Sequence, residues 1–219
     1  NFSQGTYCQS EKIATLCLAL IEGIIMLNIG DKAPNFSLQD QNASIQHAKV
    51  LKGKRYLVYF YPKDSTPGCT TQACGLQSEL KQFNKLGIPV FGVSADSVAR
   101  HQNFASKNAL TFPLLADVDK TLIEAYGVWV EKSLYGRKYM GISRSSFLIA
   151  SNGKIEHVWE KVNTKTHAQD VLDFINGKTV DIKTPIKNAA VKKITSKKVT
   201  TKKEEKKKTA VKESPTKST

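Results

Sequence analysis

The sequence predicts an α/β fold: a mixed central β-sheet flanked by helices, continued by a disordered C-terminal tail. Three observations predict it. Between about Leu27 and Gly177, apolar runs rich in β-branched and aromatic residues alternate with amphipathic stretches. Late in that region two runs flank Ser151-Asn152-Gly153, a hairpin signal. After Gly177 the hydrophobic periodicity stops.

The elements follow in order. Ile13 to Leu27 is apolar but contains Glu22, and it is too short to span a bilayer comfortably. It also lacks the charged start and small-residue cleavage site of a signal peptide. Met26 stands just before "LNIGDKAPNFSL", where the domain pattern begins. Met26 is therefore expected to be the natural start, with residues 1–25 an extension outside the fold; the rival reading is a targeting or membrane segment. "RYLVYFY" (Arg55–Tyr61) reads as a buried strand. Cys69 to Leu86 reads as a helix, with Leu76, Leu80 and Phe83 on one face and Gly87 as its stop. "IPVFGVSA" (Ile88–Ala95) is a second buried strand, and Asp96 or Ser97 caps a helix running to about Lys107. "FPLLAD" is a short strand, and Asp119 to Tyr126 a short helix ended by Gly127. "RSSFLIA" and "KIEHVWEKV" form the hairpin, and Thr166 to Ile175 the last helix. One domain is thus expected over residues 26–178 and a tail over 179–219. The tail has no aromatic residue and too little apolar surface to offset its ordering entropy.

Composition narrows the function classes. The chain has 219 residues, 40% hydrophobic and 24% charged, enough for one sizeable core with appendages. Four cysteines are too few for a disulfide scaffold, which favours a reducing compartment and a cytoplasmic protein. From Val180 to Thr219 there are 13 lysines against Asp181, Glu204, Glu205 and Glu213, so nine of the net +14 charges sit in the tail. The basic balance describes mainly that tail and does not mark the domain as a nucleic-acid binder. The tail itself suits a solvated, solubilising role. Two alternatives stay open: a nucleic-acid or partner-binding protein acting through the tail, in salt-sensitive contact where phosphates are engaged, or a nuclear localisation signal. No membrane partner is expected, and Cys8 and Cys17 receive no role.

The chemistry concentrates in "YPKDSTPGCTTQAC" (Tyr61–Cys74). Pro67-Gly68 places Cys69 in the first turn of a helix. There unpaired amides and the positive end of the helix dipole favour an anion, and a thiolate is that anion. Thr66, three residues upstream, offers a hydroxyl to a thiolate or an oxygen substrate. The same residues also fit a buried cysteine beside a turn threonine. Cys69 and Cys74 lack zinc spacing, and His47, His101, His157 and His167 show no paired pattern, so no metal is expected. A C-x-x-C redox motif is absent.

"FYPKDSTPGCTTQACG" resembles the active-site segment of the peroxiredoxins, in particular the bacterioferritin-comigratory-protein branch, also called peroxiredoxin Q. The family pattern Pro-x-x-x-Thr-x-x-Cys falls on Pro62, Thr66 and Cys69, and the branch's resolving cysteine on Cys74. "RSSFLI" resembles the strand that carries the active-site arginine, here Arg144. "GDKAPNFSL", "FGVSADS" and "FPLLAD" extend the likeness, which runs from about Leu27 to Ile175. It implies a thioredoxin-like fold and a thiol peroxidase acting on hydrogen peroxide and organic hydroperoxides with no cofactor. The Cys69 thiolate would take a peroxide oxygen and become a sulfenic acid. Cys74 would condense with it to an intrasubunit disulfide, which thioredoxin would reduce. Thr66, Gly68 and Arg144 would bind the substrate, and Pro62 would shield the sulfur. A disulfide within one chain needs no second subunit, so a monomer is expected.

Two consequences follow from the resemblance. The family commonly has glutamate three residues after the first cysteine, as a partner for the arginine. Here Gln72 stands there, which removes a negative charge near the thiolate and is expected to hold Arg144 less firmly. Five residues along an ideal helix separate Cα atoms by about 8.7 Å. A disulfide fails beyond roughly 7 Å. The first helical turn is therefore expected to unwind on oxidation.

Overall fold

The computed structural model describes residues 26–134 and 136–177. They fall in the first of the two units into which the chain divides, Asn1–Val180 and Asp181–Thr219. The extension before Met26, with Cys8 and Cys17, and the lysine-rich tail lie outside the described residues.

The described chain runs β1 (Ser37–Gln39), β2 (Ile45–His47), a 3-10 turn (Ala48–Leu51), β3 (Tyr56–Phe60), α1 (Pro67–Ser78), α2 (Leu80–Lys85), β4 (Val90–Ser94) and α3 (Val98–Asn108). It continues through β5 (Leu114–Ala116), α4 (Thr121–Ala125), β6 (Trp129–Leu134), β7 (Arg137–Ile142), β8 (Ser145–Ile149), β9 (Ile155–Trp159) and α5 (His167–Ile175). The central sheet has the order β5-β4-β3-β8-β9. β3 pairs in parallel with β4, and β4 with β5. β8 pairs antiparallel with β3 and with β9. This is the mixed, helix-flanked sheet that the sequence predicts. No helix among the described residues is long and apolar enough to cross a membrane.

Every residue of β3 is buried, as its unbroken apolar run requires of a strand covered on both faces. Alternate side chains go to opposite cores. Tyr56, Val58 and Phe60 join Phe91, Val93, Ile123, Tyr126, Phe147 and Ile149 on one face. Leu57, Tyr59 and Tyr61 join Cys69, Leu76, Phe83, Phe104, Leu148 and Val171 on the other. The second core is covered by α1, α3 and α5. There a Cβ at Gly92 would come within 2.8 Å of the Tyr59 hydroxyl, so only glycine fits.

The structure departs from the sequence reading in two places. The helix expected over Cys69–Leu86 is two helices, broken at Glu79. The Ser78 hydroxyl donates to the Gly75 carbonyl at 2.8 Å, while the Glu79 amide reaches the same carbonyl at only 3.4 Å. A side chain competing for that acceptor ends the helical ladder. The antiparallel pairs β1–β2 and β6–β7 carry no clear strand pattern. The first has three residues a strand, and β7 has mostly exposed side chains.

Candidate active site

The site forms where β3 ends and α1 begins. Phe60, the last residue of β3, pairs with Ser145, the first of β8. That register sets Arg144 beside the strand–helix junction, although it stands 75 residues from Cys69.

The loop between them is moored from below. The Tyr61 hydroxyl donates to Asp64 Oδ1 at 2.8 Å, and the Asp64 amide donates to Asp96 Oδ2 at 2.7 Å. His101 Nδ1 lies 2.7 Å from Asp64 Oδ2, with its Nε2 at 3.2 Å from the Leu115 carbonyl. Asp64 and His101 are almost fully buried, and Arg100 caps the cluster from outside by its 2.8 Å bridge to Asp96. Buried polar groups of this kind must be satisfied together, and removing one strands the rest. Ser65, next to the anchor, takes a positive φ of 60°, which turns the chain into α1.

Thr66 occupies the N-cap position and Pro67 begins the helix, where a missing N–H costs nothing. Cys69 therefore sits in the first turn, among amides with no intrahelical acceptor. Its side chain is buried against the second core. Arg144 Nη2 donates to Cys69 Sγ at 3.2 Å. A Cβ at Gly68 would stand 3.3 Å from that same Nη2, so the guanidinium lies against bare backbone.

Gln72 takes the place beside Arg144 where the family commonly has glutamate, and it holds the guanidinium by a neutral acceptor. Arg144 Nη1 donates to Gln72 Oε1 at 2.6 Å. On its other side the Gln72 amide meets His167 Nδ1 at 3.2 Å. Burial, and then the Arg144 charge, lower the His167 pKa to about 3, so the ring is neutral at physiological pH. Tyr59 is pushed well above the ordinary tyrosine value by burial first and then by Cys69 and Asp64, so it stays protonated. Lys132, on the β6–β7 hairpin, is lowered by burial and by the Arg144 charge, with Cys69 acting in the opposite direction. Its amine donates to the Ile142 carbonyl.

The structure brings Cys69, Gly68 and Arg144 together. The other sequence-predicted residues make no hydrogen bond to the sulfur among the described residues. The Thr66 hydroxyl donates to the Lys63 carbonyl at 3.1 Å. Pro62 is exposed in the loop ahead of Asp64. Cys74 is exposed on α1, its thiol facing Asn108 Oδ1 at 4.0 Å, and both cysteines are free. Sequence reasoning missed His167, Lys132, Asp64 and His101. The one available signal was weak: His167 opens the last helix at an apolar-face position, which also fits a plain core histidine.

Comparison with known proteins places this geometry among relatives. A match to the AhpC/TSA family covers residues 29–158. The chain is 47% identical over 149 residues to peroxiredoxin Bcp of Escherichia coli (strain K12), covering 68% of this chain and 96% of that protein. It is 42% identical over 149 residues to peroxiredoxin Bcp of Bacillus subtilis (strain 168), covering 68% and 95%. The fold is similar to that of the bacterioferritin comigratory protein of Xanthomonas campestris, with TM-score 0.62, 38% identity and coverage of 65% and 90%. It is likewise similar to a cysteine-to-serine mutant of Xylella fastidiosa PrxQ, with TM-score 0.67, 35% identity and coverage of 70% and 98%.

Proposed function

The chain belongs to the AhpC/TSA family as a peroxiredoxin of the Bcp and PrxQ kind, and from that premise we propose a thiol peroxidase cycle centred on Cys69. The observation that carries it is the Arg144 guanidinium 3.2 Å from the Cys69 sulfur, at the start of α1. A fixed cation and unpaired amides beside one sulfur stabilise negative charge there and on a bound oxygen as it develops in the reaction.

In this cycle the thiolate attacks the terminal peroxide oxygen. The O–O bond breaks, and the leaving oxygen departs as water or an alcohol after taking a proton. Cys69 is left as a sulfenic acid, oxidised by two electrons. Arg144 and Thr66 hold the peroxide oxygens, while Gly68 supplies backbone and Pro62 shields the sulfur. The Cys74 thiol then displaces water from the sulfenic acid to form the Cys69–Cys74 disulfide. Thioredoxin reduces that disulfide by exchange, which suits a cytoplasmic monomer. The Xanthomonas campestris relative has been studied for alkyl peroxide reduction, which supports organic hydroperoxides as substrates here beside hydrogen peroxide.

The test is hydroperoxide-dependent oxidation of reduced thioredoxin, followed with thioredoxin reductase. Cys69→Ser is expected to abolish it. Cys74→Ser is expected to leave a trappable sulfenic acid that turns over only with an external thiol. Full activity in Cys69→Ser would refute the cycle.

A further inference from the structure

Gln72 and His167 form a buried pair behind the arginine, and each is only 1% exposed. A glutamine amide has two ends of nearly the same shape and opposite hydrogen-bonding character. Arginine offers donors only. The Arg144 Nη1 contact at 2.6 Å therefore requires the Gln72 oxygen on that side. The nitrogen must then find an acceptor on the other side, and His167 Nδ1 stands there at 3.2 Å. An imidazole accepts on Nδ1 only when that nitrogen is bare, which puts the ring proton on Nε2.

We propose that His167 is a positioning residue: its bare Nδ1 locks the Gln72 amide so that the oxygen faces Arg144, and so fixes the guanidinium on Cys69. The proposal rests on the reading of Cys69 as the reacting thiolate. His167 is set between Tyr59 and Trp159, with ring centroids at 6.3 and 6.4 Å, so the imidazole has little room to turn. Its Nε2 has no hydrogen-bond partner among the described residues, which leaves Nδ1 as the ring's contact to the site. Burial and the Arg144 charge keep the ring neutral and hence an acceptor. The lock also has an electrostatic result. A neutral carbonyl aims the guanidinium without sharing its charge, as a carboxylate at position 72 would. The full positive charge is then left to Cys69 and to the oxygens bound there.

The tautomer is the direct test. In the full-length reduced protein labelled with nitrogen-15 in histidine, NMR is expected to show His167 neutral, with Nε2 protonated and Nδ1 bare. A proton on Nδ1 overturns the proposal and does so whether or not the protein is a peroxidase. The second test compares His167→Asn, whose Oδ1 takes the place of Nδ1, with His167→Leu, which has no acceptor. Both lose ring packing and are expected to melt at lower temperature. The rate of Cys69 oxidation in a single turnover is expected to fall on the order of tenfold or more in His167→Leu, as misplacement of a reacting group does. His167→Asn is expected to stay within about threefold of the wild type, since it keeps the acceptor that aims the guanidinium. Equal rates in the two variants overturn the positioning role. If His167→Leu does not fold, the wild-type tautomer still decides. Peroxidase activity surviving in Cys69→Ser would instead remove the underlying reading and leave the tautomer result standing.

Discussion

Gly68 and His167 shape the site from opposite sides, one by lacking a side chain and one by holding a neutral ring. Gly68 leaves the space that Arg144 fills. His167 costs the fold something as acid is added. In the unfolded chain a histidine binds its proton near pH 6.5, whereas in the fold His167 does so only near 3. Between those values the unfolded state holds the extra proton, so stability falls as pH falls through that window. At pH 4.5 the loss relative to pH 7 from this one group is on the order of 2–3 kcal/mol. Denaturant titrations at the two pH values should show that much steeper a decline in the wild type than in His167→Asn. Parallel declines would rule the account out. The meeting of Cys69 and Arg144 was legible from the sequence because short motifs mark both residues. His167 was not, because what matters is the approach of one ring nitrogen to an amide 95 residues away in the chain.

On α1 the two cysteines face different surroundings. Cys69 shares its buried face with Ala73 and Leu76, while Cys74 is exposed and turned toward Asn108. No rotamer change joins them across an intact helix, so the proposed disulfide needs the helix to open. Downstream, Gln77 grips Thr111, donating to its hydroxyl at 3.1 Å and accepting from its amide at 2.9 Å. Hydrogen exchange of amides Cys69 to Gly75 should accelerate in the disulfide form, while those beyond Gln77 stay protected. Equal protection of Cys69 to Gly75 in both redox forms would sink the opening. The strands β3, β4 and β8 were legible as apolar runs, and β9 from the turn signal that precedes it. The β6–β7 hairpin was not, since Glu131, Lys132, Arg137 and Lys138 interrupt its pattern and its register depends on backbone pairing.

For the whole molecule the sheet order matters more than any one strand. β8 enters antiparallel beside β3, which brings Arg144 next to a helix that follows β3 directly. Alternation in the sequence predicted a mixed sheet but did not rank its strands, because long-range pairing leaves no local signal. Phe147 is fully buried in β8 and packs on Phe60 and Tyr126, with ring centroids at 5.8 and 4.8 Å. Phe147→Ala should cost about 3–5 kcal/mol, read as a lower midpoint in denaturant. A loss below about 1 kcal/mol would show that this face of the core is not closely packed.

The buried mooring of Asp64 to Asp96 and His101 gives the redox cycle a fixed starting point. Asp64 stands upstream of the segment that would open in the proposed cycle, and the Gln77–Thr111 grip stands downstream. In the proposed disulfide form the chain between them would be a short tether between these two anchors, and a short loop has little closure entropy to lose. Resetting after reduction then resembles the re-zipping of one helical turn, an event of microseconds or less, rather than refolding of the domain. The anchor would thus confine the structural change of the proposed cycle to one helical turn and leave the core undisturbed.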